Sequence, residues 1–238
     1  MNFVARACFV LGVLGGCGIS EQVSAAEFEA VPLVRCASDG QMGPQPATTG
    51  QGATPRLSPA QAGRLAYYAS DVLGVLAPRG WHCIELAGSN GAMLIVTPER
   101  HGSDLLEPGH PLKGAAVERI GRSSETSGRF EVADAAAELF PIAKAFVGAV
   151  AAEQLEPLKP WKLSPADRVT FRTEKRLEFA TEAGRQGLGT KGNFAPAADP
   201  IRGVLILDPD EGLMMVNVRL APADADLAPI IVRQVDLK

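Results

Sequence analysis

No apolar run in the 238-residue chain is long and uninterrupted enough to cross a bilayer as a helix. The best interior candidate, 133–152, is broken by Asp134, Glu138, Pro141 and Lys144. A mid-membrane Asp or Lys costs about 2.5–3.5 kcal/mol, and each Leu, Ile, Phe or Val returns only about 0.5. The segment therefore reads as a core helix. No Lys/Arg cluster is present either, and with a formal net charge of -4 and a pI near 5.5 the chain lacks the basic footprint of a nucleic-acid binder. Histidine is scarce. His82, His101 and His110 are the only three, their spacing fits no compact ligand pattern, and no metal or cofactor is expected. Cysteine is scarce as well, at four residues.

What is present begins at the N-terminus. Arg6 precedes an apolar run from Ala7 to about Ile19, the length of a signal h-region rather than of a membrane span. Small residues at Val23-Ser24-Ala25 suit signal peptidase, so residues 1–25 read as a signal peptide cleaved before Ala26. Leu14-Gly15-Gly16-Cys17 supports a different processing, in which Cys17 becomes the lipidated first residue of an anchored lipoprotein. Both routes place the mature protein outside the cytoplasm, in the periplasm, secreted or lipid-anchored, with no transmembrane helix. Cleavage after Ala25 leaves Cys36 and Cys83, and a pair in an oxidising compartment reads as a disulfide.

The 26–57 segment is extended at first (30–36) and then rich in Gly, Pro, Gln and Thr, a partly flexible lead-in. Residues 58–238 read as a single α+β domain, a mainly antiparallel sheet with about three helices packed on it. Ser58-Pro59-Ala60-Gln61 opens a helix expected to reach about Ala69. Strands are expected at 81–87 and 92–97, joined through Asn90-Gly91, and again at 116–122. A long helix spans 133–154 with Leu139, Ile142, Phe146 and Val150 inward. Strands 168–173 (Val169 and Phe171 inward) and 176–180 (Leu177 and Phe179 inward) follow. A hairpin pairs 203–207 with 213–220, and a short helix carries Leu227, Ile230, Ile231 and Val235.

Several motifs invite chemistry and fail on geometry. His82 and Cys83 are neighbours on a strand, so they point to opposite faces and form no dyad. Gly187-Leu188-Gly189-Thr190-Lys191-Gly192 matches G-x-G-x-x-G, but Asn193-Phe194-Ala195-Pro196 starts no helix to meet a pyrophosphate. Asp208-Pro209-Asp210-Glu211-Gly212 is a hairpin turn rather than a calcium loop. No catalytic residue is assigned. His82, Gly187 and Gly189 remain as the lining of a candidate ligand cleft, and Trp161, after Lys159-Pro160, as an exposed aromatic for a partner.

Three segments resemble an uncharacterised family of secreted proteobacterial proteins: Val31 to Cys36 with Ser38-Asp39-Gly40, the Gly-Trp-His-Cys strand within 75–91, and Gly184-Arg185-Gln186-Gly187-Leu188-Gly189-Thr190. The resemblance implies a bacterial envelope setting and carries no activity. The leading expectation is a non-catalytic binding or envelope-accessory domain whose partner is an envelope protein or small ligand. The alternative is a small secreted hydrolase-like enzyme, which would gather His82, Ser89 or carboxylates in one pocket. Intact mass and N-terminal sequencing of the exported product are expected to show a start at Ala26. A lipidated Cys17 would replace the soluble product with an anchored one.

Overall fold

The structure is a computed structural model in which residues 28–102, 105 and 111–236 are described. Residues 1–25, the Ala25–Ala26 junction and Cys17 lie outside them. In chain order come β1 (Glu29–Ala30), β2 (Leu33–Arg35), β3 (Ala37–Gly40), β4 (Arg56–Leu57), α1 (Pro59–Ala62), β5 (Leu65–Ala69) and β6 (Gly74–Pro78). Then follow β7 (His82–Gly88), β8 (Gly91–Thr97), β9 (Ala116–Ser123), α2 (Arg129–Leu139) and α3 (Lys144–Glu153). The chain ends with β10 (Asp167–Thr173), β11 (Arg176–Thr181), β12 (Ile201–Asp208), β13 (Gly212–Arg219) and α4 (Ala228–Arg233). No helix among the described residues is long and apolar enough to cross a membrane, which says nothing of a β-barrel.

An eight-stranded sheet in the order β10-β11-β12-β13-β9-β8-β7-β3 forms the centre. Its pairs are antiparallel except for β3 beside β7, so the sheet is mixed rather than wholly antiparallel. A second sheet, β2-β5-β6, contains the parallel pair β2–β5, and β1 with β4 makes a two-stranded ladder. The alternation along β8 and β13 explains the layering. Leu94, Val96, Val216 and Val218 face the smaller sheet and α4, in a core with Leu65, Tyr68, Val75, Ile231 and Val232. Ile120, Leu205, Leu207 and Met215 face the other way, against Val132, Ala136 and Leu139 of α2. Layers of apolar side chains therefore bury the central strands on both faces.

The N-terminal segment stitches the two sheets together. Residues 33–40 run in β2 and then, past Cys36, in β3 of the large sheet. Cys36 is bonded to Cys83 on β7, with Cα atoms 5.4 Å apart. Trp81 packs with Cys83 against the same core, as expected from their shared strand face. Closing a loop whose ends are 47 residues apart stabilises the fold by about 4 kcal/mol in the chain-entropy description.

Several expected elements differ. The first helix stops at Ala62, and the chain enters β5 instead of remaining helical to Ala69. Leu65, Tyr68 and Ala69 are all buried, but by a strand covered on both sides, a pattern that mimics one helical face. The long helix is two helices, because Pro141 lacks an N–H and holds Phe140 out of the helical region at φ -131°, ψ 85°. Ile142 is consequently exposed while Leu139 and Val150 are buried. The 30–36 strand is split into β1 and β2, with Pro32 in the break. Phe171 is 54% exposed, since β10 is an edge strand with little over that end. Trp161 is not a surface aromatic. It is 6% exposed, packs in the α2 core and donates its backbone N–H to the Asp134 carbonyl at 2.8 Å.

Replacing both cysteines, C36S/C83S, is expected to lower unfolding free energy by about 2–4 kcal/mol. Chemical denaturation measures the loss. Thiol titration of the unfolded, unreduced chain starting at Ala26 is expected to find no free thiol, and two would rule out the bridge.

Candidate functional site

The residues singled out in the sequence do not converge. His82 opens β7 and is half-buried opposite Thr97, on the face shared by Ile84 and Leu86. Ser89 lies beyond the other end of that strand, about 20 Å away at ordinary strand rise. There its hydroxyl meets that of Ser127 at 3.2 Å. Gly187 and Gly189 sit in a turn beside β11 and β12. Four sheet positions, about 19 Å at ordinary strand spacing, separate β12 from β7. The geometry thus brings neither Ser89 nor the glycine loop to His82. No group of three or more His, Cys, Asp or Glu among the described residues is arranged to hold a metal ion.

The glycine loop is filled from within. The Asp167 carboxylate accepts hydrogen bonds from the Leu188 N–H at 3.1 Å, the Thr181 hydroxyl at 2.6 Å and the Ser164 N–H at 2.9 Å. The Gly189 N–H donates to the Thr181 oxygen at 3.0 Å, and that of Gly187 to the Thr190 oxygen at 3.1 Å. A side chain at Gly187 would collide with Asp167. The loop amides are already engaged, Leu188 by a carboxylate and Gly187 and Gly189 by threonine hydroxyls, so this loop is a structural clamp.

A second carboxylate pins the next loop. Glu118 of β9 is fully buried and accepts from the Asn193 N–H at 2.7 Å and from the Asn217 amide at 2.8 Å. Nearby, buried Arg219 donates to the Leu112 carbonyl at 3.0 Å and to that of Ala195, and stacks on the Phe194 ring at 4.7 Å. Burial, opposed by the Asn217 and Asn193 hydrogen bonds, pushes the Glu118 pKa up. Neither residue is solvent-accessible, and both act on the loop packing above them.

A concavity lies on the opposite face of the sheet, at the end where the hairpins turn. It encloses about 730 Å³, within the range of small-molecule sites. Ala87, Ala92, Gly121, Ile206 and Met214 contribute to its floor, with Val72 and Leu73 of the β5–β6 turn and Val235 from beyond α4 around it. The hollow exists because side chains are small or missing where strands turn. Gly91 and Gly212 have φ of +134° and +137°, and a Cβ there would collide with the carbonyls of Gly121 and Arg122 respectively. One wall is held rigidly. Ser70 Oγ accepts from the Leu73 N–H at 2.9 Å and donates to buried Glu85. Burial is the main cause that raises the Glu85 pKa.

Three cationic residues belong to the lining, Arg119, Lys175 and Arg122, the last with its side chain on the α2 face of the sheet. Arg122 pairs with Glu131 at 2.5 Å and Lys175 with Asp208 at 3.2 Å. Arg119 donates to the Gly74 carbonyl and sits beside the Tyr67 hydroxyl. No carboxylate among the described residues pairs with it, and its Nε is buried without an acceptor. Sequence reasoning missed the site. The available signal was Gly121 inside a strand pattern, two residues from Arg119 and therefore on the same face.

Comparison of the chain with protein-family models, with curated proteins and with solved structures finds no significant match. The functional reading therefore rests on the site itself.

The Glu118 shift has a definite sign. A carboxylate whose native pKa lies above its unfolded value of about 4.3 gives its full stability below that value. The contribution is lost as pH rises through the raised native pKa. Wild type is therefore expected to lose stability relative to E118Q as pH increases from about 4 to 7 in parallel urea titrations. A pH-independent difference would show that Glu118 does not titrate in that window.

Proposed function

We propose that the protein is a non-catalytic, extracytoplasmic binding protein whose site is the hollow beside Arg119. The observation that carries this reading is the hollow itself, a largely apolar concavity of about 730 Å³. Its lining contains no His or Cys, so the commonest general base and the strongest side-chain nucleophile are both missing from it. Its two hairpin-end glycines and the Ser70–Glu85 anchor make it a preformed shape, which lowers the ordering cost of binding. The extracytoplasmic setting is supported by the Cys36–Cys83 bridge, which persists in oxidising compartments, and by the signal-like N-terminus.

Filling the floor tests the assignment. Gly121 has ordinary backbone geometry and a Cβ there would meet Leu73 Cδ2 at 3.4 Å, so G121L places a large side chain into the cavity. The mature protein is expected to bind a neutral apolar dye such as Nile red saturably, at one site. G121L is expected to weaken that binding at least tenfold while circular dichroism shows the fold retained. Dye binding unaffected by G121L, or none in wild type, would overturn the reading.

A further inference from the structure

The charge distribution around the hollow says more about what it receives. Arg119 is permanently cationic. It meets the Gly74 carbonyl and the Tyr67 hydroxyl, which are dipoles, and no carboxylate among the described residues compensates its charge. The other two cations of the lining are already neutralised by Glu131 and Asp208. Burial pushes the Arg119 pKa down, the mark of a cation short of solvent. Apart from Arg122, Ser123, Lys175, Asp208 and Glu211, the rest of the lining is Ala, Gly, Leu, Ile, Met and Val.

Resting on the hollow as the binding site, we infer that its ligand is a single-headed amphipathic anion, with the negative group against Arg119 and the apolar body over Ala92, Gly121 and Met214. The register supports this orientation. Arg119 pairs with Val216, whereas Asp208, Glu211 and Gly212 belong to the β12–β13 turn, opposite Ser123. That turn lies about 13 Å further along the ladder at ordinary strand rise. At that end Lys175 is already paired with Asp208, so Arg119 is the cation that attracts the head, at the other end. One uncompensated cation calls for one head. A carboxylate and a phosphate monoester both match a guanidinium fork, so the head is identified here as an oxyanion on an apolar chain.

Isothermal titration of the mature protein with decanoate, decyl phosphate, decanol and decyltrimethylammonium, all below their micelle concentrations, tests this. At least one of the two anions is expected to bind about tenfold or more tightly than decanol, and the cation most weakly. The tighter of decanoate and decyl phosphate identifies the head. R119Q is expected to abolish the preference for the anion while leaving decanol affinity nearly unchanged, and R119K to retain part of it. Equal affinity for anions and decanol in wild type, with both lost in G121L, would overturn the head-group inference and leave the hollow as the site. Anion binding that survives G121L, or no binding by any probe, would remove the site as well. Should R119Q not fold, the wild-type ranking and R119K decide.

Discussion

Burial of the central sheet on both faces is the constraint from which the rest of the structure follows. β8 and β13 have a covering layer on each side, so their residues are apolar with few exceptions, whereas β9 between them also carries Glu118, Arg119 and Arg122. The polar exceptions, Glu118, Asn217 and Arg219, need partners inside the protein. Asn217 donates to Glu118, and the remaining partners come from the loops 111–115 and 192–197, which are thereby tied down over the sheet. The hollow is the place where the cover on the other face stops short, between the β5–β6 turn and the chain beyond α4. A site formed by incomplete cover inherits its floor from the sheet and its rim from the turns.

Three carboxylates do similar work in three places. Asp167 takes the Leu188 amide and the Thr181 hydroxyl under the glycine loop, Glu118 takes the Asn193 amide, and Glu85 receives the Ser70 hydroxyl that organises the turn at Val72 and Leu73. Each replaces what a bound anion would otherwise supply, so the loops are shaped by the chain's own charges. Arg119 differs because no carboxylate among the described residues answers it. Internal neutralisation elsewhere is what makes a lone cation in an apolar hollow informative.

Much of the fold was legible in the sequence wherever local chemistry decided the outcome. Asn90-Gly91 and Gly212 mark two hairpin ends, and Leu177 with Phe179 point inward as their alternation requires. The Cys36–Cys83 pairing followed from the expected processing and the cysteine count. Non-local choices were hidden. Leu-Ala-Tyr-Tyr-Ala at 65–69 has spacing that suits a helix, and only the pairing with β6 and β2 makes it a strand. Ala37–Gly40 is too short and polar to announce itself, because β7 stabilises it and not its own side chains. The candidate site was harder still. Ala87, Ala92, Gly121 and Met214 come from four strands, and no window of sequence contains the hollow they make. The candidate cleft of His82, Gly187 and Gly189 relied on residue type alone, and topology holds those residues apart.

The passage of residues 33–40 from one sheet to the other also has a mechanical meaning. Tension on the chain ahead of β2 meets two short parallel pairings, β2 with β5 and β3 with β7, loaded along the strands. Between them stands the Cys36–Cys83 bond, which delivers the pull directly to β7 in the large sheet. Hydrogen bonds of β3 and the loop from Gly43 to Pro55 are shielded from that load as long as the bond is intact. Force entering from the N-terminal side is thus carried into the large sheet, and the hollow, at the turn end of the same strand, is spared until the bridge itself is broken.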